Sequence, residues 1–449
     1  MGKSVAVVIC SWNKRELLVR CIDAALEEMS LVTGDVFVVD NASSDGSAAA
    51  VRERFGGAVT LIENPENRGG SGGFNTGIKA ALACGGAAPR VNGGAAHRVG
   101  KAYDFVHLLD NDALVERGAV GALVRFMEGN ADCGVAGSKI YLMERPRVLQ
   151  EFGAFIDYAG ASIRPNRRFY DEEAGGTVTG VSDPCVNGVS APCIDGALDG
   201  AIEVDYVPAC SMLVRAEVFG RVGLLDESFF LYWDDMDFAV RVKRAGYKVY
   251  AVSNSRVRHN LGTLNKKNLL PTYYFWRNRI RFFLKYGGSD SLDALASDIY
   301  TAVFTCRHIG KPNTLGVLKR AVSDGFADVG GPFDAGVAPP DAGVAPLDAG
   351  VAPLKTAWGE SIDFTPDMPN PILADMSDSC RRIEVGQAIL DARAQDTKPA
   401  NAPSPSPQIV YADAYGNVVH ADRAIILKAQ YYAEKAAFVS ALKETGRVR

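Results

Sequence analysis

Asp110-Asn111-Asp112 closes an apolar run, HLL, at its carboxyl end. Two carboxylates at i and i+2 beyond a strand can place one oxygen on a divalent ion and the other on a ribose or a second metal position, and such an ion neutralises a diphosphate leaving group. The same triplet also serves as a turn or a helix N-cap. A second acidic set, Asp234, Asp235 and Asp237, follows Phe229-Phe230-Leu231-Tyr232-Trp233 and opens a helix. Acids in a first helical turn agree with the helix dipole and need no further role. The adjoining aromatics point elsewhere: Tyr232 and Trp233 can form a wall on which a sugar stacks, beside a carboxylate whose pKa is raised by partial burial so that it acts as a base. Sequence leaves open which of Asp234 and Asp235 faces a cleft. His259, in RVRHN, is a lone histidine of the usually structural kind, and its place after the acidic helix also lets it return as a third metal ligand.

Two more strand ends carry polar clusters, Ser11-Trp12-Asn13-Lys14-Arg15 and Asp40-Asn41-Ala42-Ser43-Ser44-Asp45-Gly46-Ser47. An acid in such a place accepts hydrogen bonds from ribose hydroxyls or a base N–H; equally, Asp40 can cap its turn and Asp45 or Ser47 the next helix. Between residues 67 and 75 the chain reads NRGGSGGFN, with glycines at 69, 70, 72 and 73. These leave backbone N–H groups free to approach a diphosphate at a helix N-terminus, with Arg68 and Asn75 beside them; a floppy loop is the other reading. The stretch matches neither GxGxxG nor GxxxxGK[ST], so dinucleotide and P-loop binding lose their usual support.

The elements that must position these groups follow from periodicity. SVAVVIC (4–10) is a β-branched run of the kind buried on both faces of a sheet, and Leu18, Cys21, Ile22, Ala25, Leu26 and Met29 then recur at helical spacing. The alternation repeats through DVFVVD (35–40), a helix near 47–55, AVTLIE (58–63), a helix near 73–84 and YDFVHLLD (103–110). Strands and helices alternating over such short connections make a doubly wound α/β sheet with ligands at the carboxyl ends of its strands. A helix near 117–129, the strand CGVAGSKIYL, an irregular stretch over 144–200, EVDYVPACSMLVR, a helix over 234–245 and YKVYAV extend that sheet into a mixed one. Residues 268–328 read as largely helical, with Pro271 in a first turn. Three copies of DAGVAP at 334–339, 341–346 and 348–353 make an extended linker, since Gly and Pro recur in each. Beyond it, QIVYADAYGNVVHAD resembles a hairpin turning at 415–417, and a last helix over 421–445 has enough apolar residues to dock.

At 449 residues the chain is long enough for several domains, and 48 Lys+Arg against 53 Asp+Glu argue against a general nucleic-acid binder. There is no apolar run of about 18 residues and no secretory leader, which predicts a cytoplasmic protein. Nine cysteines without a CxxC pair predict small buried hydrophobes in a reducing compartment. Five histidines leave any metal site dominated by carboxylates, which favours Mg2+ or Mn2+.

Taken in order, SWNKRELL (11–18), VVDNASSDGS (38–47), NRGGSGGFNTG (67–77), LLDNDA (108–113), YWDDMDFAVRVKRAGY (232–247) and His259 resemble the inverting family-two glycosyltransferases of GT-A fold. The resemblance is strongest to the rhamnosyltransferases and galactofuranosyltransferases that build bacterial surface polysaccharides, and AVSDGFADVGG (321–331) resembles a C-terminal segment of the rhamnosyl branch. It implies a transferase domain over 1–265 (nucleotide half 1–115, acceptor half 116–265), a helical region over 266–331, the linker over 332–356 and an extension over 357–449. Asp110, Asp112 and His259 would hold Mn2+ or Mg2+, and Asp235, or else Asp234, would be the base. Ser11, Asn13, Arg15, Asp40, Asn41, Arg68, Gly69, Gly70, Asn75, Asp110 and Asn111 would line the nucleotide-sugar site, and Tyr232 and Trp233 the acceptor site. Implied partners are a UDP- or dTDP-sugar, with galactofuranose or rhamnose, and a glycan or lipid-linked glycan acceptor. In YYFWRNRIRFFLKY (273–286), Arg277, Arg281 and Lys285 form one helical stripe and Trp276, Ile280, Phe283 and Leu284 another, which predicts peripheral contact with the cytoplasmic face of the inner membrane unless the helix is packed core. Rival readings are a nucleotidyltransferase, which would place a Gly-rich basic loop where SWNKRE stands, and a non-catalytic scaffold, against which the intact carboxylates count.

Overall fold

The computed structural model describes residues 2–84, 102–177, 199–261, 269–308 and 312–333, and beyond these only 381–384, 409–412, 418–419, 435–436 and 438–440. The DAGVAP copies, the turn at 415–417 and most of the 421–445 segment lie outside the described residues.

The run Val5–Ile9 offers both faces apolar side chains, and it becomes the fully buried strand β1 (Val5–Ser11). Then come α1 (Arg15–Met29), β2 (Gly34–Asp40), α2 (Ser47–Phe55), β3 (Thr60–Glu63), α3 (Gly69–Ala83) and β4 (Phe105–Asp110). β3, β2, β1 and β4 lie side by side in that order, all parallel, as the alternation predicts. Two layers cover them. Val5, Val7 and Ile9 face α1, α2 and the later α4 (Ala119–Gly129), while Ala6 and Val8 face α3.

The second half adds β5 (Ala113–Val115), β6 (Cys133–Leu142), β7 (Val148–Glu151), a separate hairpin of β8 (Ala154–Asp157) and β9 (Ser162–Pro165), then β10 (Tyr170–Asp171) and β11 (Gly176–Thr177). The stretch read as irregular thus holds short strands. After them come β12 (Ala201–Val204), β13 (Ser211–Arg215), α5 (Ala216–Val222), α6 (Asp234–Arg244) and β14 (Lys248–His259). β13 runs antiparallel between β4 and β6, so the twelve strands form one mixed α/β sheet. A chain of buried polar groups crosses it. His107 Nε2 on β4 lies 2.9 Å from Ser211 Oγ on β13, which lies 2.7 Å from Ser138 Oγ on β6, itself 2.8 Å from Ser255 Oγ on β14. Burial pulls the His107 imidazole down to about pH 4, so it sits there neutral.

The helices α7 (Leu270–Tyr286), α8 (Leu292–His308) and α9 (Pro312–Phe326) form a bundle, with Pro271 in the first turn of α7. Their core is continuous with the sheet domain, because Ile156, Ala161, Phe229 and Trp233 pack into it. Phe438 from the far tail also enters it, its ring 5.5 Å from that of Tyr300. The 409–412 and 418–419 segments pair as the two arms of the expected hairpin, and 381–384 adds a third strand.

The packed bundle favours the core alternative for 273–286. Trp276, Ile280 and Phe283 are core, Arg277 is fully buried on backbone carbonyls, and Arg281 and Lys285 are engaged by Asp328 and Asp237. Most of both stripes thus faces protein, with Leu284 half-buried and Lys285 exposed at the end of the helix. No helix among the described residues is long and apolar enough to cross a membrane. Of the six cysteines described, none is in a disulfide, and Cys21, Cys84, Cys133 and Cys210 are buried.

Candidate active site

The parallel register sets Ser11 beside Asp40 and Cys10 beside Asp110, so the strand ends of β1, β2 and β4 share one edge. Asp112 follows just past β4, and β14 ends antiparallel to β5 with His259 opposite Ala113. That pairing returns His259 to the aspartate triplet: its Nε2 lies 3.4 Å from Asp112 Oδ1. The other ring nitrogen, Nδ1, lies 2.9 Å from Gln150 Oε1 and donates to it, which leaves Nε2 as the atom turned toward the carboxylates. Donor atoms of Asp110, His259 and Cys210 all lie within 4.8 Å of one another, and Lys14 pairs with the second oxygen of Asp112. Cys210 is the neighbour that sequence reasoning missed; it precedes β13, and its carbonyl accepts the Asp110 N–H at 3.2 Å. A single cysteine in VPACSM has no spacing that marks it.

The two triplet carboxylates differ in charge preference. Burial would raise Asp112, but His259 and Lys14 outweigh it and bring the group down to about 2. Burial and the neighbouring Asp112 push Asp110 up to about 6. Asp112 therefore ionises first, and Asp110 gives up its proton only at higher pH. The Asp110 carboxylate, the His259 imidazole with its oriented second nitrogen and the Cys210 thiol make a donor set that fits a divalent cation, with the Asp112 carboxylate beside it.

Asp234 and Asp235 open α6 at the same cleft, near enough for Asp234 to bear on Asp110 electrostatically. Burial raises Asp234 while the Ser71 hydroxyl and backbone N–H groups hold it back. Asp235 is pushed up to about 8, first by burial and then by the charge of Asp234, although its Oδ2 accepts from the Ala209 N–H and its Oδ1 from that of Met236. Asp237 is different: fully buried, it binds Arg241, Lys285 and Tyr286 and anchors the helix. None of the three caps the helix, whose N-cap is Trp233 with φ 70°.

Asp40 is 4% exposed; its Oδ2 accepts from the Ser43 N–H, while Oδ1 is buried with no partner. A buried oxygen of this kind calls for a donor. Asn13 and Arg15 sit at the rim, their loop tied to the 43–45 turn: Asn13 accepts from the Ser44 N–H, and the Arg15 N–H donates to Asp45.

Several expected ligand residues are instead used by the frame. Asn41 is 1% exposed, donates to Asn67 and the Gly69 carbonyl, and accepts from Asn64 and the Arg68 N–H. Asn75 exchanges hydrogen bonds with the Leu225 backbone and also donates to Glu227, which pairs with Arg68. Ser11 and Asn111 bond to each other at 3.0 Å. The glycine run is not a floppy loop, for α3 begins at Gly69 and the glycines lie in its first turns. There they permit close packing: a Cβ on Gly73 would strike Cys10 Sγ, and one on Gly77 would strike Val8. Gly69 itself, with φ 70°, lies against the Phe230 carbonyl, and Gly70 is the next residue of the turn. Trp233, expected as a sugar-stacking wall, is 2% exposed and rings itself with Phe275, Phe282 and Phe283, so no face is left for a sugar. Tyr232 stays half-buried, packed against that cluster.

Residues 6–83, from β1 to the end of α3, match the family described as glycosyl transferase family 2. No curated protein matches the chain. Among solved structures the chain is similar to GalNAc-T7 with UDP, GalNAc and Mn2+ (11% identity, TM-score 0.46, 73% of this chain and 56% of that one). It is also similar to the mannosyltransferase PcManGT from Pyrobaculum calidifontis in complex with GDP-Man and Mn2+ (16%, 0.39, 75% and 78%) and to TarS from S. aureus (13%, 0.41, 73% and 50%). The chain thus spans little more than half the length of the first of these, 56%.

Proposed function

We propose that this chain is a metal-dependent glycosyltransferase of GT-A type that moves a sugar from a nucleotide diphosphate to an acceptor hydroxyl. The observation that carries the reading is the meeting, at one sheet edge, of Asp110, Asp112 and His259 with the buried Asp234–Asp235 pair. The match of residues 6–83 supports it.

In this reading Asp40 Oδ1 accepts from the nucleoside and Asp110, Asp112 and His259 hold the cation. A divalent ion there supplies counter-charge for the departing diphosphate. The imidazole in the donor set favours Mn2+ over Mg2+, which keeps to oxygen. Lys14, half-exposed on a flexible stem beside Asp112, adds positive charge at the same end of the cleft. Asp235 takes the proton of the acceptor hydroxyl as that oxygen attacks the anomeric carbon, and its raised pKa matches a base that works near neutral pH. One displacement inverts the anomeric centre. UDP-galactofuranose and dTDP-rhamnose, the donors implied by the sequence resemblance, come first, with a lipid-linked or surface glycan as acceptor.

A thermal-shift panel of UDP-, dTDP- and GDP-sugars with and without Mn2+ tests the reading, because a ligand that binds only the folded state raises stability by mass action. A Mn2+-dependent shift with one nucleotide sugar is expected. No shift with any of them, alongside a shift with free nucleoside triphosphates, would turn the reading to nucleotidyl transfer.

A further inference from the structure

Three residues without a glycine's freedom adopt left-handed backbone just ahead of the candidate base: Phe230 at φ 65°, Tyr232 at 63° and Trp233 at 70°. L side chains rarely adopt this conformation, and it persists only where the surroundings fix it. Here two adjacent residues of α7 do so. The Asn278 side-chain amide donates to the carbonyls of Phe229 (2.8 Å), Leu231 (2.7 Å) and Tyr232 (3.0 Å). Arg277 donates to the carbonyls of Phe229 (2.8 Å), Ser228 (3.3 Å) and Gly331 (2.7 Å), and its Nε–H to Asn278 Oδ1 (2.9 Å). Both side chains are fully buried. From the opposite side Gly69 closes on the Phe230 carbonyl.

We propose that Arg277 and Asn278 are positioning residues, a splint that holds the 228–233 segment in its left-handed path and thereby sets Asp234 and Asp235 in the cleft. The inference rests on the glycosyltransferase reading for its effect on turnover, but not for its effect on the segment. Both are buried away from solvent, and their donors go to backbone carbonyls, to each other and to the Tyr273 side chain. A hydrophobic cluster alone would hold Trp233 without fixing which way its neighbours' carbonyls point. The amide of Asn278 fixes that direction, because its one nitrogen sits among three carbonyls in four residues.

The test uses the full chain with Asn278→Ala and, in case that variant does not fold, Arg277→Lys, which keeps the charge but not the guanidinium fork. Amide hydrogen exchange is followed at 229–237 and, as internal reference, in β1 and β4; turnover is measured with the sugar nucleotide that gives the largest shift in the panel above. Expected are exchange at 229–237 faster by about tenfold or more with β1 and β4 unchanged, and kcat lower by about 10- to 100-fold with donor KM within twofold, the size of effect a misplaced reacting group produces. Arg277→Lys gives the same pattern, weaker. Unchanged exchange at 229–237, exchange raised equally everywhere, or wild-type kcat despite faster local exchange overturns the splint. Retained turnover in Asp235→Asn overturns instead the assignment of the base, and the exchange result still decides whether the splint exists.

Discussion

The cleft has two acidic walls, and they are held in place by different means. Asp40 and Asp110 end the two strands that flank β1, and Asp112 follows just past β4, all fixed by a parallel register that also fixes the core. Asp234 and Asp235 sit at the end of a contorted loop whose backbone is tied to α7, some 45 residues further along the chain. A strand end cannot move without shifting the sheet, whereas a tethered loop can move when its tethers do. The first wall therefore suits groups that must bind a charged ligand in a constant place. The second suits a group whose position and protonation govern the rate.

The sharpest way to break this division is Asp235→Asn. Transfer is expected to fall by about 10²- to 10⁴-fold with donor affinity nearly unchanged, as for a lost general base. Asp234→Asn, measured beside it for rate and for calorimetric donor affinity, decides between the two neighbours; wild-type transfer in both variants would remove the second wall from catalysis. On the first wall, Gln150→Leu frees His259 Nδ1 and should weaken Mn2+ affinity by about 10- to 100-fold, read by manganese titration followed by electron paramagnetic resonance. Transfer at saturating Mn2+ should recover, which a rate-governing residue would not permit.

Acidity offers a third contrast. With Asp235 pushed up to about 8, the base is protonated below that point, so transfer should drop by about tenfold per unit as pH falls below 8. A limb near pH 4 would mean that Asp235 is not the base. The same shift carries a stability consequence. A carboxyl whose folded pKa lies above its unfolded value favours the fold below the unfolded value, and that contribution is lost as pH rises through about 8. Asp235→Asn should therefore melt higher than wild type at pH 8, by roughly 3 °C, and no higher at pH 4. The smallest effect belongs to the frame: Gly77→Ala gains about 1 kcal/mol of helix propensity but forces α3 off Val8, at a cost of about 1–3 kcal/mol. A slightly lower denaturation midpoint with transfer per folded molecule unchanged is expected.

The same division governs what the sequence discloses. β1, β2 and β4 are legible because burial on both faces leaves a near-continuous apolar run, and once the strands are placed their ends place Asp40, Asp110 and Asp112. His259 is legible only as a candidate, since the pairing of β14 with β5 that returns it is a long-range event. Asn41 follows a strand end and Arg68 and Asn75 flank a glycine run, and nothing local distinguishes a side chain that binds a phosphate from one that binds a loop carbonyl or Glu227. Trp233 and the basic stripe of α7 mislead for a related reason. Amphipathic types at helical spacing look alike whether the second face meets lipid, sugar or a backbone that needs donors, and here the donors turn inward. The glycines of α3 are only partly legible: they read as a helix N-terminus, and the helix starts at Gly69 rather than near 73, where they let it approach Cys10 and Val8.

The hydroxyl chain from His107 through Ser211 and Ser138 to Ser255 bears on how a mixed sheet finds its alignment. A slip of one residue would turn every side chain of β13 to the wrong face, and burial alone forbids it. A slip of two keeps each side chain on its face and leaves the apolar pattern satisfied, so hydrophobicity does not object. It would, however, strand buried hydroxyls, each at a cost of about 1–3 kcal/mol. Four small polar groups in the middle of an apolar sheet thus act as a combination lock, opening to one alignment among those that oil and water would accept, and in that alignment Cys210 meets Asp110.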